Sequence, residues 1–396
     1  MQPRIAIACG GTGGHLFPGL AVGEELLRRN CAVTLLISPK DVDQQAVKSV
    51  SGMEIVTLPA VGLTRGGFLG FAAGFYKSYR AAKNLFRKNP PHAVLAMGGF
   101  TSAPPVLAGK SFGAKTFLHE SNTIPGRANR WLAHFVDDAF VYFHEASGRM
   151  SSAKIEVTGM PVRPQFLKPI DVAAARISLG LDANKPVLLV MGGSQGASGI
   201  NDLVLSALPL LAKSAPDLQF FHLTGARDFE KVQAVYTAQK CKAIVHPFFS
   251  EMELALGAAS VAVSRSGASS LAELAAMRLP AILIPYPTAA DNHQFYNANA
   301  FVRSGAARMI GQCNTSPQRL AEEVLNLVEE SQQRTVIQQA LEKWHTPDAA
   351  EKVATKIFCW LEKSELISKH IVTPLTKNDS AERVALHPIK SEAANA

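Results

Sequence analysis

Residues 264–299, SRSGASSLAELAAMRLPAILIPYPTAADNHQFYNAN, hold two loops of the kind that bind ligands in α/β proteins. The pattern predicts a strand end, a loop of small residues at 266–270, a helix, a strand at 281–286 and a second loop before another helix. No side chain of the first loop is larger than a hydroxymethyl group, so a ligand could lie against the backbone amides that open the helix. The stretch therefore predicts an anion site.

Glu273 and the second loop add polar groups to this predicted site. Glu273 lies one turn into the helix, where its carboxylate would repel a diphosphate but could accept two hydrogen bonds from a sugar diol. The loop at 291–294, Asp-Asn-His-Gln, suits a polyhydroxylated ligand. A nucleotide offers both an anion and a diol. Alternatively, Ser270 to Glu273 is only a capping box and Asp291 only a helix N-cap, and the stretch alone leaves both interpretations open.

Length and composition indicate a globular protein with room for two domains: 396 residues, 47% hydrophobic and 18% charged. Five scattered cysteines without a CxxC pair argue against a disulfide framework or a zinc site and indicate a reducing compartment. We expect neither export nor membrane insertion, because no leader precedes the first predicted strand and no apolar run approaches the ~18 residues of a spanning helix. The net charge of +8 admits nucleic acid, an anionic membrane or phosphorylated substrates as partners.

A second glycine loop, CGGTGGH at 9–15, follows the predicted strand at 4–8 and opens a helix. This β-loop-α-β unit has the chemistry of a phosphate loop. It departs from the dinucleotide fingerprint, because Leu16 stands where the third glycine should be and no acidic residue ends the next strand. The spacing of Asp41 and Asp43 is that of a metal-binding carboxylate pair in some sugar transferases, but helix capping is the favoured alternative. We therefore predict no metal and no cofactor.

A basic segment at 55–119 contains eight lysines and arginines and no aspartate or glutamate. Its aromatic and apolar residues share a glycine-containing stretch with the basic ones; they are Phe68, Leu69, Phe71, Phe75, Tyr76 and Tyr79. This composition suits the headgroup region of an anionic bilayer, and we predict membrane contact. A solvated basic face over an ordinary core helix is the alternative. Nucleic acid ranks last, and none is predicted as a partner, because no nucleic-acid-binding motif accompanies the segment.

The chain divides into two similar halves. A glycine and three prolines interrupt the predicted strands and helices at 155–169, and we place a domain boundary after residue 162. A second βα series then begins with a strand at 186–191 and the loop GGSQGAS at 192–198, which is similar to the N-terminal loop. This arrangement predicts two α/β domains, 1–162 and 163–347, with a ligand cleft between them. Residues 364–396 lack periodicity and are predicted to be a mobile tail.

Seven motifs together resemble the MurG family of glycosyltransferases. In order they are GGTGGHLFPGLAV from Gly10, MGGFTSAP from Met97, HESNTIPGRANR from His119, TGMPVR from Thr158, MGGSQGASGIN from Met191, SRSGASSLAEL from Ser264 and DNHQFYNA from Asp291. The resemblance covers residues 3–362. It implies an α/β protein of the GT-B fold, with two Rossmann-like domains whose parallel sheets face across a cleft. It also implies that a helix at about 348–362 packs back on the first domain.

The resemblance further implies a function. N-acetylglucosamine would pass from UDP-N-acetylglucosamine, with inversion, to the 4-hydroxyl of undecaprenyl-linked lipid I, giving lipid II for peptidoglycan synthesis. The enzyme would be peripheral to the cell inner membrane, on its cytoplasmic side, with other cell-wall synthesis proteins as further expected partners. Two alternatives are a GT-B transferase for another lipid, such as diacylglycerol, and a non-catalytic sugar-nucleotide-binding partner.

The same resemblance assigns site residues. In the second half, Glu273 would bind the ribose and Phe249 the uracil, and Arg163 and Ser194 would contact the phosphates. Residues proposed to hold the uridine and diphosphate are Ala268, Ser269, Ser270, Leu271 and Ala272, while Gln294, with His293 as a further candidate, would contact the transferred sugar. In the first half, the donor contacts would be Thr12, Gly13, Gly14 and Asn122.

His15 is the predicted catalytic base, because it lies on the cleft loop and titrates near neutral pH. A histidine that only orients the loop or a phosphate is the alternative, and Glu120 is the reserve base. Two departures from the family pattern are Ser121, where glutamine is usual, and Ser266, where alanine is commoner. The first shortens a polar side chain beside Asn122 and leaves the local contact open.

Overall fold

The structure is a computed structural model. It describes residues 2–363 except 12, 41–42, 45–46, 49, 60–66, 100, 152–153 and 194–195, and only the backbone at 67–69. The predicted tail at 364–396 lies outside the described residues, as do Thr12, Asp41 and Ser194.

The first half is built on a seven-stranded parallel sheet. Its strands are β1 (Arg4–Ala8), β2 (Ala32–Ile37), β3 (Glu54–Thr57), β4 (Ala93–Ala96), β5 (Lys115–Glu120), β6 (Asp138–Val141) and β7 (Ile155–Val157), in the order β3-β2-β1-β4-β5-β6-β7. Its helices are α1 (Gly13–Arg28), α2 (Gly67–Lys88), α3 (Ala103–Ser111), α4 (Arg127–Leu132) and α5 (His144–Ser147). The strand order reverses between β1 and β4, so the loops after these strands diverge and leave a crevice.

The second half repeats this plan with six parallel strands. They are β8 (Val187–Met191), β9 (Gln219–Leu223), β10 (Ala243–His246), β11 (Val261–Ser264), β12 (Ala281–Leu283) and β13 (Arg308–Met309), in the order β10-β9-β8-β11-β12-β13. Its helices are α6 (Val172–Ser178), α7 (Ser198–Ser214), α8 (Phe229–Ala238), α9 (Met252–Ala258), α10 (Ala268–Ala276), α11 (His293–Arg303), α12 (Pro317–Glu329) and α13 (Ser331–Glu342). Here the order reverses between β8 and β11.

The central strands are apolar on both faces because helices cover each sheet on both sides. In β1, Ile5 and Ile7 enter one core cluster while Ala6 and Ala8 enter the cluster on the opposite face. Every residue of β8 is buried. Strands of such sheets form continuous apolar runs in a sequence, without alternation. The predicted fold class, two Rossmann-like units with parallel sheets, is confirmed.

The last helix, α14 (Ala349–Lys363), returns to the first half. Val353, Ile357 and Leu361 are fully buried in one cluster with Ile5 of β1. Their spacing of four residues places them on one face of the helix. The chain therefore crosses between the two halves twice, once after β7 and once before α14.

The two crossings touch at Gly159. This residue has a φ of +85°, and a Cβ atom built on it would lie 2.4 Å from Oγ1 of Thr346. Only glycine combines this backbone conformation with so close an approach. The boundary predicted after residue 162 lies in the connection between the end of β7 and the start of β8.

An aromatic cluster lies at the junction of the halves. Tyr142 and Phe143 follow β6 of the first sheet, yet they belong to the core cluster of the second half. The rings of Phe301 and Trp344 stack with centroids 4.3 Å apart, and Phe143 lies 5.4 Å from Trp344. Aromatic pairs at such distances add to the stability that burial provides. The junction is therefore apolar where the chain crosses it.

Candidate active site

Two cavities meet at the start of α1. The smaller has a volume of about 480 Å³ and the larger about 1080 Å³. Gly14 lines the smaller cavity, and the next residue, His15, lines the larger one. The hydroxyl of Ser269, in the first turn of α10, donates a hydrogen bond of 3.1 Å to the carbonyl of Gly14. The N-termini of two helices from different halves therefore touch where the cavities adjoin.

The smaller cavity collects most of the predicted ligand residues. Those that line it are Gly13, Gly14, Arg163, Phe249, Ala268, Ser269, Ser270 and Glu273. Leu271 and Ala272 do not line it, because their side chains are buried in the core of the second half. A helix presents only one face to a cavity, and these two residues lie on the other side.

The helix α10 begins without a side-chain cap. Its N-cap is Gly267, in an extended conformation, and no side chain accepts a bond from the first-turn amides. The alternative that Ser270 starts a capping box is wrong, because Ser270 lies inside the helix. Asp291 is likewise not the N-cap of α11, since Asn292 holds that position. The uncapped amides at the cavity wall have the geometry of an anion site.

Glu273 faces Arg163 across the smaller cavity. Its Oε1 lies 3.8 Å from Nη2 of Arg163, and both side chains are 14% exposed. Burial raises the pKa of Glu273 to about 7; the Arg163 charge opposes this rise and Glu253 adds to it. The carboxyl group therefore changes its charge near neutral pH.

The guanidinium group of Arg163 lies over two aromatic rings. Its carbon lies 4.5 Å from the ring centroid of Phe17, on α1, and 4.9 Å from that of Phe166. Its Nε is buried and has no hydrogen-bond partner. A buried donor without a partner is unfavourable, so the group is suited to an anionic ligand.

His15 lies on the wall of the larger cavity, partly exposed. Its Nδ1 is buried without a hydrogen-bond partner. Burial lowers its pKa, and the nearby Met97 carbonyl and the Asp43 carboxylate offset this lowering only in part. The imidazole is therefore neutral at neutral pH, which leaves a ring nitrogen able to accept a proton.

Glu120 is buried in the larger cavity wall and fully hydrogen-bonded. One carboxylate oxygen accepts from the backbone and side-chain amides of Asn122, and the other accepts from Gly126 N and Asn129 Nδ2, at 2.7–3.2 Å. Burial raises its pKa, and these four donors oppose the rise. With each oxygen already accepting two bonds, Glu120 anchors the loop that leads to α4.

Asn297 is a residue of this region that sequence reasoning missed. It is fully buried on α11, and its Oδ1 accepts hydrogen bonds from the amide and hydroxyl of Thr123, both at 2.9 Å. Its Nδ2 donates to Oδ1 of Asn122, at 2.9 Å, and to the carbonyl of Ser266. Asn297 thus joins the loop after β5 to the loop before α10. Its place one turn after His293, in the DNHQFYNA motif, was the available signal.

The two polar residues that open α11 differ in position. His293 lines the larger cavity, and its Nδ1 lies 2.8 Å from the carbonyl of Ala290. Gln294 lines neither cavity; its Oε1 accepts a bond from Tyr286 N, and its own carbonyl accepts one from Ser266. The side-chain amide of Gln294 therefore keeps its NH₂ group for a ligand.

The N-terminal glycine loop is held in place by hydrogen bonds to residues that follow β2. Oδ2 of Asp43 accepts hydrogen bonds from Gly11 N, at 2.7 Å, and from the amide and hydroxyl of Ser38. Lys40 donates to the carbonyl of Gly11. Asp43 therefore supports the loop before α1. Among the described residues, no group of three or more His, Cys, Asp or Glu side chains is arranged to hold a metal ion.

The helix α2 carries most of the basic segment. Lys77, Arg80 and Arg87 are exposed on it, but Phe75 and Tyr79 pack against the core cluster below. Of the aromatic side chains described on α2, Tyr76 is the one that is largely exposed, at 62%. The predicted membrane contact could therefore use Tyr76 and the exposed basic residues, whereas Phe75 and Tyr79 partly serve the core. No helix in the described ranges is long and apolar enough to span a bilayer.

Comparisons with known proteins agree on a class. The N-terminal domain of glycosyltransferase family 28 matches residues 5–141, and the C-terminal domain of that family matches residues 187–353. A crystal structure of MurG from Acinetobacter baumannii superposes with a TM-score of 0.69 at 25% identity, over 91% of this chain and 100% of that one. The chain is thus a two-domain glycosyltransferase of the GT-B fold.

Relatives narrow the class to a family. One relative is the UDP-N-acetylglucosamine–N-acetylmuramyl-(pentapeptide) pyrophosphoryl-undecaprenol N-acetylglucosamine transferase of Syntrophus aciditrophicus. The chain is 38% identical to it over 333 residues, and this aligned region covers 82% of this chain and 90% of the relative. The transferase of that name from Geobacter sulfurreducens is 35% identical over 367 residues, 91% of this chain and 100% of the relative. The chain belongs to this family of N-acetylglucosamine transferases, and the predicted resemblance is confirmed.

Proposed function

We propose that this enzyme transfers N-acetylglucosamine from UDP-N-acetylglucosamine to the muramoyl-pentapeptide of lipid I, which gives lipid II for peptidoglycan synthesis. The observation that carries the proposal is the meeting of the two cavities at Gly14 and His15. One cavity has an anion site, a buried carboxylate and an arginine, as a nucleotide diphosphate requires. The other has a neutral histidine and an apolar wall, as a lipid-linked sugar requires.

The smaller cavity is the proposed donor site. The open amides at Ala268, Ser269 and Ser270 bind the diphosphate together with Arg163, while the Glu273 carboxylate accepts hydrogen bonds from the ribose. Contacts proposed by family resemblance in addition are those of Thr12, Gly13, Gly14, Ser194, Phe249, Leu271 and Ala272, together with Asn122, which lines the larger cavity, and Gln294, which lines neither. Leu271 and Ala272 can contribute only through their backbone, because their side chains are in the core.

His15 is the proposed catalytic base. It removes the proton of the acceptor 4-hydroxyl as that oxygen attacks the anomeric carbon from the face opposite UDP, so the reaction inverts that carbon. Negative charge on the departing UDP is stabilised by Arg163 and by the α10 amides. The reserve candidate Glu120 is disfavoured, because its oxygens already accept four hydrogen bonds.

The proposed acceptor reaches the enzyme at the cytoplasmic face of the inner membrane. The larger cavity opens beside α2, where Phe71, Phe75 and Trp131 form an aromatic wall. The exposed basic residues of α2 then face anionic headgroups. Cell-wall synthesis proteins as further partners stay a prediction.

Acceptor choice gives the first test. We expect UDP release from UDP-N-acetylglucosamine with a lipid I analogue, little release with diacylglycerol or without acceptor, and no change on adding EDTA. The measurement is the initial rate of UDP formation in neutral detergent. Release with diacylglycerol alone would refute the proposed acceptor, and loss of activity with EDTA would refute the proposal that no metal takes part.

Replacement of His15 by alanine should lower kcat by about 10²- to 10⁴-fold, the usual contribution of a general base, with little change in donor KM. In the unchanged enzyme the acid limb of kcat should lie below pH 6.5, because burial lowers the pKa of His15. Steady-state kinetics across pH measure both effects. His144→Ala, at an exposed histidine of α5, is the matched control. An unaltered kcat in the His15 variant would remove this residue from the base role.

Glu273 should make donor binding depend on pH. Its pKa is about 7, so its charged form dominates at pH 8 and its neutral form at pH 6. Only the carboxylate accepts both ribose hydrogen bonds, and donor KM should rise as pH falls across this range. Glu273→Gln should raise donor KM at pH 8 by about tenfold or more and flatten the pH dependence, because hydrogen bonds to charged groups are the stronger ones.

The variant Glu253→Gln provides the control for this titration. Glu253 lines the same cavity and adds to the raised pKa of Glu273, so its neutralisation should move the inflection of donor KM to lower pH. An inflection that stays in place in both variants would show that another group governs it.

Membrane binding should depend on the charges of α2. The triple variant Lys77→Gln, Arg80→Gln, Arg87→Gln should weaken partition onto anionic vesicles on the order of 100-fold, at about 1 kcal/mol per basic residue. Co-sedimentation measures the partition. The control variant removes the same charge from exposed lysines of the second half: Lys213, Lys240 and Lys242. Equal losses in the two variants would mean that only net charge matters and would contradict a binding face on α2.

A further inference from the structure

Two arginines and one aspartate meet beside the larger cavity, whose lining includes Arg127 and Asp291. Nη2 of Arg130 lies 3.2 Å from one carboxylate oxygen of Asp291, and Nη2 of Arg127 lies 3.6 Å from the other. The arginines come from α4 in the first half, whereas Asp291 precedes α11 in the second. Two guanidinium groups thus share one carboxylate, and the rim keeps a net positive charge.

The helix α4 spans the larger cavity from its polar end to its aromatic wall. At the polar end, a Cβ on Gly98 would touch both His15, at 2.9 Å, and Asn129, at 3.2 Å, so these two side chains lie against the same backbone. At the other end, Trp131 contacts Phe75 edge to face, with centroids 6.4 Å apart. Asn129, Trp131 and the two arginines all lie within two turns of α4. The arginines are therefore close both to the polar end of the larger cavity and to its aromatic wall.

We propose that Arg127 and Arg130 bind the diphosphate of the acceptor, and that Asp291 occupies them in the free enzyme as an internal substitute. The inference rests on the proposed function, in which the acceptor carries its sugar on one side of a diphosphate and a polyprenyl chain on the other. Guanidinium groups donate paired hydrogen bonds to phosphate oxygens. His15, the arginines and the aromatic wall then offer matching groups for the sugar, the diphosphate and the hydrocarbon.

The exchange of Asp291 for a diphosphate requires little disruption. The side chain of Arg127 is 85% exposed and that of Asp291 34%, and exposed ion pairs contribute little to stability. A diphosphate offers more oxygens and more negative charge than a carboxylate does. Asp291 and Asn292 both have left-handed backbones, with φ of 49° and 54°, which these residue types tolerate. The loop therefore presents the Asp291 carboxylate to the arginines until an acceptor displaces it.

The test compares variants of opposite expected sign in neutral detergent, with a short-chain lipid I analogue and no anionic lipid. The double variant Arg127→Gln, Arg130→Gln should raise acceptor KM about tenfold or more while donor KM is unchanged. Asp291→Asn should instead lower acceptor KM by about two- to fivefold, because the competing charge is gone. Arg278→Gln, at the exposed Arg278–Glu342 pair of the second half, should change neither constant.

A direct binding measurement separates this inference from the proposed function. Farnesyl diphosphate should bind the unchanged enzyme and bind the double arginine variant more weakly, whichever acceptor the enzyme glycosylates. Unchanged acceptor KM and unchanged farnesyl diphosphate affinity in the double variant would overturn the inference. An effect confined to vesicles with anionic lipid would also overturn it, since the arginines would then contact headgroups. A wild-type enzyme inactive on lipid I, with farnesyl diphosphate binding intact, would refute the function alone.

Discussion

The reversal of strand order in each parallel sheet is the constraint on which the site depends. At a reversal, the loops after two neighbouring strands turn to opposite faces, and the crevice between them cannot be filled by the sheet itself. The reversals at β1/β4 and β8/β11 place the starts of α1 and α10 at such crevices. Because the hydroxyl of Ser269 bonds to the carbonyl of Gly14, the two crevices lie side by side. So close a contact requires small residues at the starts of both α1 and α10.

The junction between the two halves has one kind of contact beside the cavities and another where the chain crosses from one half to the other. At the cavities, the contacts include polar ones: Asn297 to Asn122 and Thr123, Ser269 to Gly14, and Asp291 to two arginines. Where the chain crosses, the contacts are stacked aromatic rings and the close passage at Gly159. Water can replace polar contacts at small cost, whereas separation of buried rings exposes apolar surface. The crossing point is therefore the stable part of the junction.

Sequence predicted the strands and glycine loops because both are local signals: apolar runs mark covered parallel strands, and small residues mark close backbone approach. It missed Asn297 and the bracing role of Asp43, because their partners are distant in the chain. The aromatics of α2 are a different case. Phe75, Tyr79, Ala82 and Phe86 follow the helical period and face the core, so attention to that period would have placed Phe75 and Tyr79 inside.

Burial has opposite consequences for two titratable groups of the cavity walls, His15 and Glu273. It lowers the pKa of His15 and raises that of Glu273, in each case by disfavouring the charged form. For a base this is useful, because a neutral imidazole can take a proton at neutral pH. For a carboxylate that binds a diol it is a disadvantage, and the nearby charge of Arg163 offsets it. Low polarity also strengthens the interaction of the α10 amides with an anion, so burial favours both proton removal at His15 and departure of a charged leaving group.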